Sequence, residues 1–285
     1  MTEQKFNANA SITLVNGIET NYVAVDDRGL NYGDGVFETI AVNNNQPVFW
    51  GKHWARLQES CEALKLNIPD ELVLLKDVRY VLNGHKSGVI KIIITRGRGP
   101  RGYGYEQDHK VTCIVQFFVT NEDKEHKALT LNESGISMMY SRYSLSTSPL
   151  SGIKHLNRIE QILATSETYN SKYNEVICCD EKGCIVECGS ANIFTVKKKC
   201  LQTPILNNCG IKGVIRDWVI NYAHTNEIGV EEKQIDREDI TSADEVFITN
   251  SIIGLRPVVC VEDAKFTIGK LTRRLQAAYI EAIAK

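Results

Sequence analysis

Apolar–polar alternation, broken first by asparagine-rich turns and then by helical spacing, most limits what this chain can become. Residues 11–25, SITLVNGIETNYVAV, alternate around Asn16-Gly17. That dipeptide favours a two-residue turn with positive φ, so the stretch predicts an opening β-hairpin. Residues 35–50 predict a second hairpin, turning in Asn43-Asn44-Asn45. In HWARLQESCEALKL the period changes. Trp54, Leu57, Cys61 and Leu64 recur at helical spacing, which leaves Arg56 off the apolar stripe and facing a cleft. A further helix is expected near 70–83. VIKIIITRG and KVTCIVQFFV predict strands on either side of the Gly- and Arg-rich loop RGRGPRGYGYEQD. The short polar segment TNEDKEH at 120–126 predicts a linker between two domains.

Beyond the linker, ALTLNES and ISMMYSRY predict strands. RIEQILATSETYN predicts a helix whose inner face is Ile159, Ile162, Leu163 and Ser166. EVICCD, GCIVEC and NIFTV predict strands around the turn Glu181-Lys182-Gly183, and VIRDWVINYAHT a helix starting just after Gly213. DEVFITNS and LRPVVCV predict strands, and LTRRLQAAYIEAIAK a terminal helix with Leu271, Leu275, Tyr279 and Ile283 in register. Helices interleaved with several hairpins predict a mixed α/β fold rather than a doubly wound parallel sheet.

The formal charge of −2 gives no global field for nucleic acid or an anionic membrane, so an acidic substrate has to be met by local Arg and Lys residues. The nine cysteines are odd in number and contain no C-x-x-C pair, and the opening residues carry no apolar signal region. A reduced, cytoplasmic setting with free thiols follows as the expectation. Cys184 and Cys188 match no common zinc spacing, so no metal is expected. No apolar run reaches the length of a membrane span.

Four local features carry chemistry. Lys154, in Ser151-Gly152-Ile153-Lys154, sits between a loop and a helix, and a lysine amine becomes nucleophilic once desolvation or a nearby cation lowers its pKa. Gly213-Val214-Ile215-Arg216 opens a helix, where free backbone N–H groups bind phosphate. Glu187 in CIVECGSANIF shares a face with Ile185 by alternation, and a buried carboxylate there needs a cation such as a protonated pyridine nitrogen. Arg96, Arg98 and Arg101 lie among glycines in a loop that suits carboxylate recognition. Taken alone, a surface lysine and a glycine turn are the commoner explanations of the first two, a structural salt bridge explains Glu187 equally well, and charged loops of this kind are often inert.

Together and in order, DRGLNYGDGVFET (27–39), HWARL (53–57), GIKHLNRIEQ (152–161), EVICCDEKGCIVECGSANIF (175–194), GVIRDWVI (213–220) and DEVFITNSIIGLRPV (244–258) resemble the fold-type IV, class IV aminotransferase-like enzymes that use pyridoxal 5′-phosphate. The resemblance runs almost end to end. It implies a smaller N-terminal α/β domain over 1–119, the linker 120–126 and a larger C-terminal mixed-sheet, barrel-like domain over 127–285. It implies that Lys154 holds the cofactor covalently and moves protons, and that Glu187 pairs with the ring nitrogen. Arg56, the backbone of Val214 and Ile215, and Thr249 with Asn250 and Ser251 beside it would bind the phosphate. Asn157 and Arg158 would line the ring near its phenolic oxygen.

Within the family, GIKHLNRIEQ and TRGRGPRGYG are most similar to the 4-amino-4-deoxychorismate lyases, whose loop typically reads S-R-G-x-G-x-R-G-Y. This chain has Thr95 at the first position and Pro100 before Arg101, and Glu38-Thr39 where those enzymes often carry two threonines. The resemblance implies release of 4-aminobenzoate and pyruvate from 4-amino-4-deoxychorismate. Thr39 or Lys154 would be the acid, Arg101 and Tyr103 the preferred substrate contacts, and Arg96 and Arg98 further cations near the carboxylates. A D-amino-acid or branched-chain aminotransferase on the same fold is the alternative. Family members generally look like homodimers, so a homodimer is expected here.

Overall fold

A computed structural model describes residues 12–119 and 134–284. The expected linker at 120–126 and nearly all of the expected strand at 128–134 lie outside them. The chain divides into two compact units, Met1–His126 and Lys127–Lys285.

The N-terminal unit is built on a six-stranded sheet in the order β2-β1-β6-β5-β3-β4, antiparallel throughout. Its strands are β1 (Thr13–Val15), β2 (Ile18–Glu19), β3 (Gly35–Asn43), β4 (Gln46–Pro47), β5 (Ser87–Thr95) and β6 (Thr112–Phe118). Both expected hairpins form, with positive φ at Asn16 and Gly17 and at Asn44 and Asn45. The first is shorter than expected because β2 ends at Glu19. Among the described residues of this unit there are three helices: α1 (Arg28–Tyr32), α2 (Trp50–Ala63) and α3 (Glu71–Leu82), the last capped by the Asp70 carboxylate on Leu72 N and Val73 N. Helix α2 packs on β3, and α3 on β6 and β1.

Strand alternation sorts this sheet into two faces. One carries Val36, Glu38 and Ile40 against Ile94, Ile92 and Ile90, all buried, and Val115 and Phe117 continue it on β6. The other is half-buried and lies in rows: Phe37–Ile93–Ile114, then Thr39–Lys91–Gln116, then Ala41–Val89–Phe118. A polar row thus runs between two apolar ones.

The C-terminal unit holds a nine-stranded mixed sheet, with the path β12-β11-β10-β13-β14-β7-β8-β9 and β15 paired to β14. Its strands are β7 (Ile136–Leu145), β8 (Glu175–Asp180), β9 (Ile185–Cys188), β10 (Asn192–Lys197), β11 (Cys200–Pro204), β12 (Val230–Lys233), β13 (Glu245–Asn250), β14 (Gly254–Val261) and β15 (Ala264–Lys265). Parallel pairs β14·β7, β7·β8 and β11·β12 interrupt antiparallel ones, as the interleaved sequence pattern predicts. The helices are α4 (Ile159–Ser166), α5 (Val214–Thr225), α6 (Arg237–Thr241) and α7 (Lys270–Ile283). One sheet face buries Ile177, Ile185, Cys188, Ile193, Val246, Ile248 and Val258 in a single cluster. The opposite face carries Phe194 stacked on Phe247 at 5.0 Å, and also Asn192 and Thr249.

Two sequence expectations fail here. Helix α4 does not turn Ile159, Ile162, Leu163 and Ser166 inward: the first two are 66% and 61% exposed, Leu163 and Ser166 are exposed, and Ala164 is the residue buried. A small side chain lets the helix backbone approach β7 and β8 closely. Nor do Ile185 and Glu187 share a face. The register shifts between Cys178 and Cys179, so that Glu187 opposes Cys178 while Ile185 opposes Cys179. That bulge puts Ile185 in the main core and Glu187 on the other side of the sheet.

All nine cysteines are free thiols. No helix among the described residues is long and apolar enough to cross a membrane.

Candidate active site

In the C-terminal unit the loop carrying Lys154 is stitched into place from both sides. Gly152 bridges to Ile211, and Ile211 N donates to Glu187 Oε2 at 2.8 Å. Arg158, at the start of α4, donates from Nε to His155 O at 2.9 Å and from Nη2 to Ile153 O at 3.0 Å. Its guanidinium therefore grips the carbonyls on either side of Lys154. Asn157 is exposed beside it. Burial, and then the charge of Arg158, pushes the neighbouring His155 imidazole down to about 4, so it is neutral at ordinary pH, and its Nδ1 is buried without a hydrogen-bond partner among the described residues. His155, Arg158, Gln161 and Gly210 line a cavity of about 340 Å³.

Glu187 is 4% exposed. Burial raises its carboxyl above the usual range, against the Ile211 N–H, the nearby charges of Arg158 and Lys154, and Gln161, whose Nε2 lies 3.4 Å from Oε1. A further cation beside this carboxyl would favour its charged form. Gly210 keeps the approach open, since a Cβ there would lie 3.4 Å from Glu187 Oε2 and 2.8 Å from Val186.

The same 210–214 segment leads into α5. Its N-cap is Gly213, which offers no side-chain cap, so Val214 and Ile215 at the first helical positions have N–H groups without an i−4 carbonyl. A Cβ on Gly213 would lie 2.1 Å from Asn192 Oδ1. Asn192 donates to Ile211 O at 2.9 Å and is the cross-strand partner of Thr249. Thr249 is buried, and its Oγ1 has no hydrogen-bond partner among the described residues. Asn250 is different: its Oδ1 accepts from Ile252 N and Ile253 N, and its Nδ2 donates to Ser190 O, so the side chain builds a turn.

These features fit a ligand with an anionic end and a basic ring nitrogen. The orphaned hydroxyl and the uncapped helix start suit a phosphate. The raised Glu187 carboxyl suits a protonated pyridine. Pyridoxal 5′-phosphate has both, and Lys154 is the amine beside them.

In the N-terminal unit Arg56 does not face a cleft unpaired. Glu38, on the buried face of β3, receives Arg56 Nε at 2.7 Å and Nη2 at 2.6 Å, with His53 Nδ1 at 2.6 Å. Despite complete burial, chiefly the Arg56 charge and then the His53 hydrogen bond hold the Glu38 carboxyl down at about 2. The sequence pattern missed this because a buried glutamate, rather than apolar spacing, sets which way α2 turns: its buried residues are His53, Leu57, Ser60 and Cys61. Thr39 lies on the opposite face of β3, directly across from Lys91. Sequence analysis did not single out Lys91. Its ammonium is 5.7 Å from the Phe37 ring centroid and has no carboxylate partner among the described residues.

The candidate cations of the 96–105 loop separate. Arg96 is buried and donates to both oxygens of Asp34 and to the carbonyls of Lys65 and Leu64, so it is scaffold. Arg98 is exposed and pairs with Asp26. Arg101 and Tyr103 are exposed at the tip, and Arg101 makes no hydrogen bond or ion pair among the described residues.

The family model Amino-transferase class IV matches residues 35–261. The chain is 33% identical over 268 residues to an aminodeoxychorismate lyase from Vibrio harveyi, covering 92% of this chain and 97% of that one. It is 31% identical to a putative branched-chain-amino-acid aminotransferase from Methanocaldococcus jannaschii, over 90% of each. The crystal structure of 4-amino-4-deoxychorismate lyase from Pseudomonas aeruginosa superposes with a TM-score of 0.88 at 31% identity, covering 95% of this chain and 98% of that one.

Proposed function

The chain belongs to the amino-transferase class IV family, whose members depend on pyridoxal phosphate, and within it we propose a lyase that converts 4-amino-4-deoxychorismate to 4-aminobenzoate and pyruvate. The observation that carries the chemistry is the occurrence in one unit of Lys154, the buried Glu187 tied to the 210–214 segment, and the orphaned Thr249 hydroxyl across from Asn192, which holds that same segment. The choice of a lyase rests on the loop 95–103, with Arg101 and Tyr103 presented outward, and on the likeness to the Vibrio and Pseudomonas enzymes.

When bound, pyridoxal phosphate supplies an electron sink next to the substrate's amine-bearing carbon. Lys154 would hold the cofactor in the resting enzyme. Once displaced by the substrate amine, it would take the proton from the carbon bearing nitrogen. Glu187 would pair with the ring nitrogen and favour its protonated form. Val214 N–H, Ile215 N–H and Thr249 would hold the phosphate, and Arg56, which pairs with Glu38, is the further phosphate contact that the family resemblance implies. Thr39 or Lys154 delivers a proton to the departing enolpyruvyl oxygen, and pyruvate leaves as the six-membered ring becomes aromatic. Arg101 with Tyr103 holds the substrate carboxylates, and Lys91 beside Thr39 is a further cation for them. The enzyme works as a cytoplasmic homodimer in folate biosynthesis.

The second reading is a transaminase, favoured by the 31% identity to the putative branched-chain enzyme. Both reactions begin with the same proton removal and diverge on whether the next carbon bears a leaving group. The protein is assayed with 4-amino-4-deoxychorismate generated in place from chorismate and an amine source. In parallel it is given D-alanine or L-leucine with 2-oxoglutarate. Equal amounts of 4-aminobenzoate and pyruvate from the first mixture are expected. Glutamate from the second, with no aminobenzoate from the first, reverses the assignment.

A further inference from the structure

Arg28 is 4% exposed, opens the five-residue helix α1 and has no place in the chemistry above. Its Nε donates to Asp34 Oδ2 at 2.9 Å. The rest of the guanidinium is spent on three successive carbonyls of the substrate loop. Nη1 donates to Gly102 O at 2.9 Å and Gly104 O at 3.1 Å, and Nη2 to Tyr103 O at 3.2 Å. Successive carbonyls of an extended chain point to opposite sides, so converging three of them on one cation requires a tight curl. Gly102, at φ +105°, supplies a conformation other residues rarely adopt. Tyr32, on the same helix, finishes the curl: its hydroxyl accepts Gly102 N at 2.8 Å, and its ring meets Tyr103 edge-on at 5.8 Å. Gly99 lets the loop cross the arginine stem, because a Cβ there would lie 2.8 Å from Arg28 Cδ. Carbonyls turned inward leave the side chains at the tip turned outward, and Tyr103 is 88% exposed.

We propose that Arg28 is a positioning residue for substrate specificity, setting the backbone of 102–104 so that Arg101 and Tyr103 are presented in one fixed arrangement to the substrate's carboxylates. This rests on the assignment of Arg101 and Tyr103 above. It makes that loop preformed rather than ordered by substrate. Lysine cannot replace the arginine, since one tetrahedral ammonium cannot serve Asp34 and three carbonyls in a plane.

The test compares the holoenzyme with its R28K, R101A and R28K/R101A variants in steady-state kinetics, cofactor absorbance and limited trypsin cleavage after Arg101, read by mass spectrometry. R28K raises KM about tenfold with kcat within about twofold, leaves cofactor absorbance unchanged and speeds the cut after Arg101. The double variant shows a KM within about threefold of R101A alone, because once Arg101 is gone a misplaced loop has only the Tyr103 contact left to lose. An unchanged KM in R28K, or KM effects that multiply in the double variant, overturns the proposal. If R28K does not fold, Tyr32→Phe removes only the Gly102 bond. It is expected to raise KM about threefold and to quicken the cut, and no change in either overturns the proposal. If the parent converts only an amino acid with 2-oxoglutarate, the lyase assignment fails on its own, and the same KM ratios are read on 2-oxoglutarate.

Discussion

A carboxyl group taken out of water raises the energy of the folded protein, and Glu187 is in that position, its burial outweighing the nearby charges of Arg158 and Lys154. Its folded pKa lies above its unfolded one, so the penalty grows as pH rises from 4.5 through the raised value and is full above it. Glu187→Gln should therefore raise the melting temperature of the cofactor-free protein, more so at pH 8 than at pH 5, while activity falls by about 10²–10³. A lower melting temperature at pH 8 would contradict this. Thr249 carries the same signature in neutral form. Thr249→Val should leave the cofactor-free protein as stable or about 1 kcal/mol more stable. It should also weaken pyridoxal phosphate binding more than binding of pyridoxal, which has no phosphate; equal losses for both would remove Thr249 from the phosphate cup. The residue types were legible in the sequence. The orphaned hydroxyl and the depth of burial were not, because both depend on strands far apart in the chain.

At the scale of elements, strand and helix existence was largely readable from periodicity and turns, and the orientation of faces was not. The bulge in β9 moved Glu187 across the sheet, and period-2 counting cannot see an inserted residue. Helix α4 presents its isoleucines outward because close approach favours Ala164, and helix α2 follows a buried ion pair. That pair makes its own prediction. Glu38 is depressed when folded, so its contribution is complete above pH 4.5 and is lost as pH falls toward about 2. Glu38→Gln should cost about 3–5 kcal/mol at neutral pH by removing the buried carboxylate that Arg56 and His53 share. Denaturant titrations at several pH values should show that difference shrinking across this acid window, and a pH-independent difference would argue against the pair.

For the whole molecule, six short segments in family order predicted what the family comparison and the 0.88 superposition bear out. What no segment could supply is assembly. As a homodimer the holoenzyme should scatter light at twice the mass of the chain, and a single-chain mass would remove that part of the account. The most direct test lies in the amine at position 154. After the protein is incubated with pyridoxal phosphate, reduced with borohydride and digested, the cofactor mass should sit on the peptide bearing Lys154 and be lost in Lys154→Ala together with activity. Label on another lysine, such as Lys212 against Gly152, or full activity without Lys154, would contradict it.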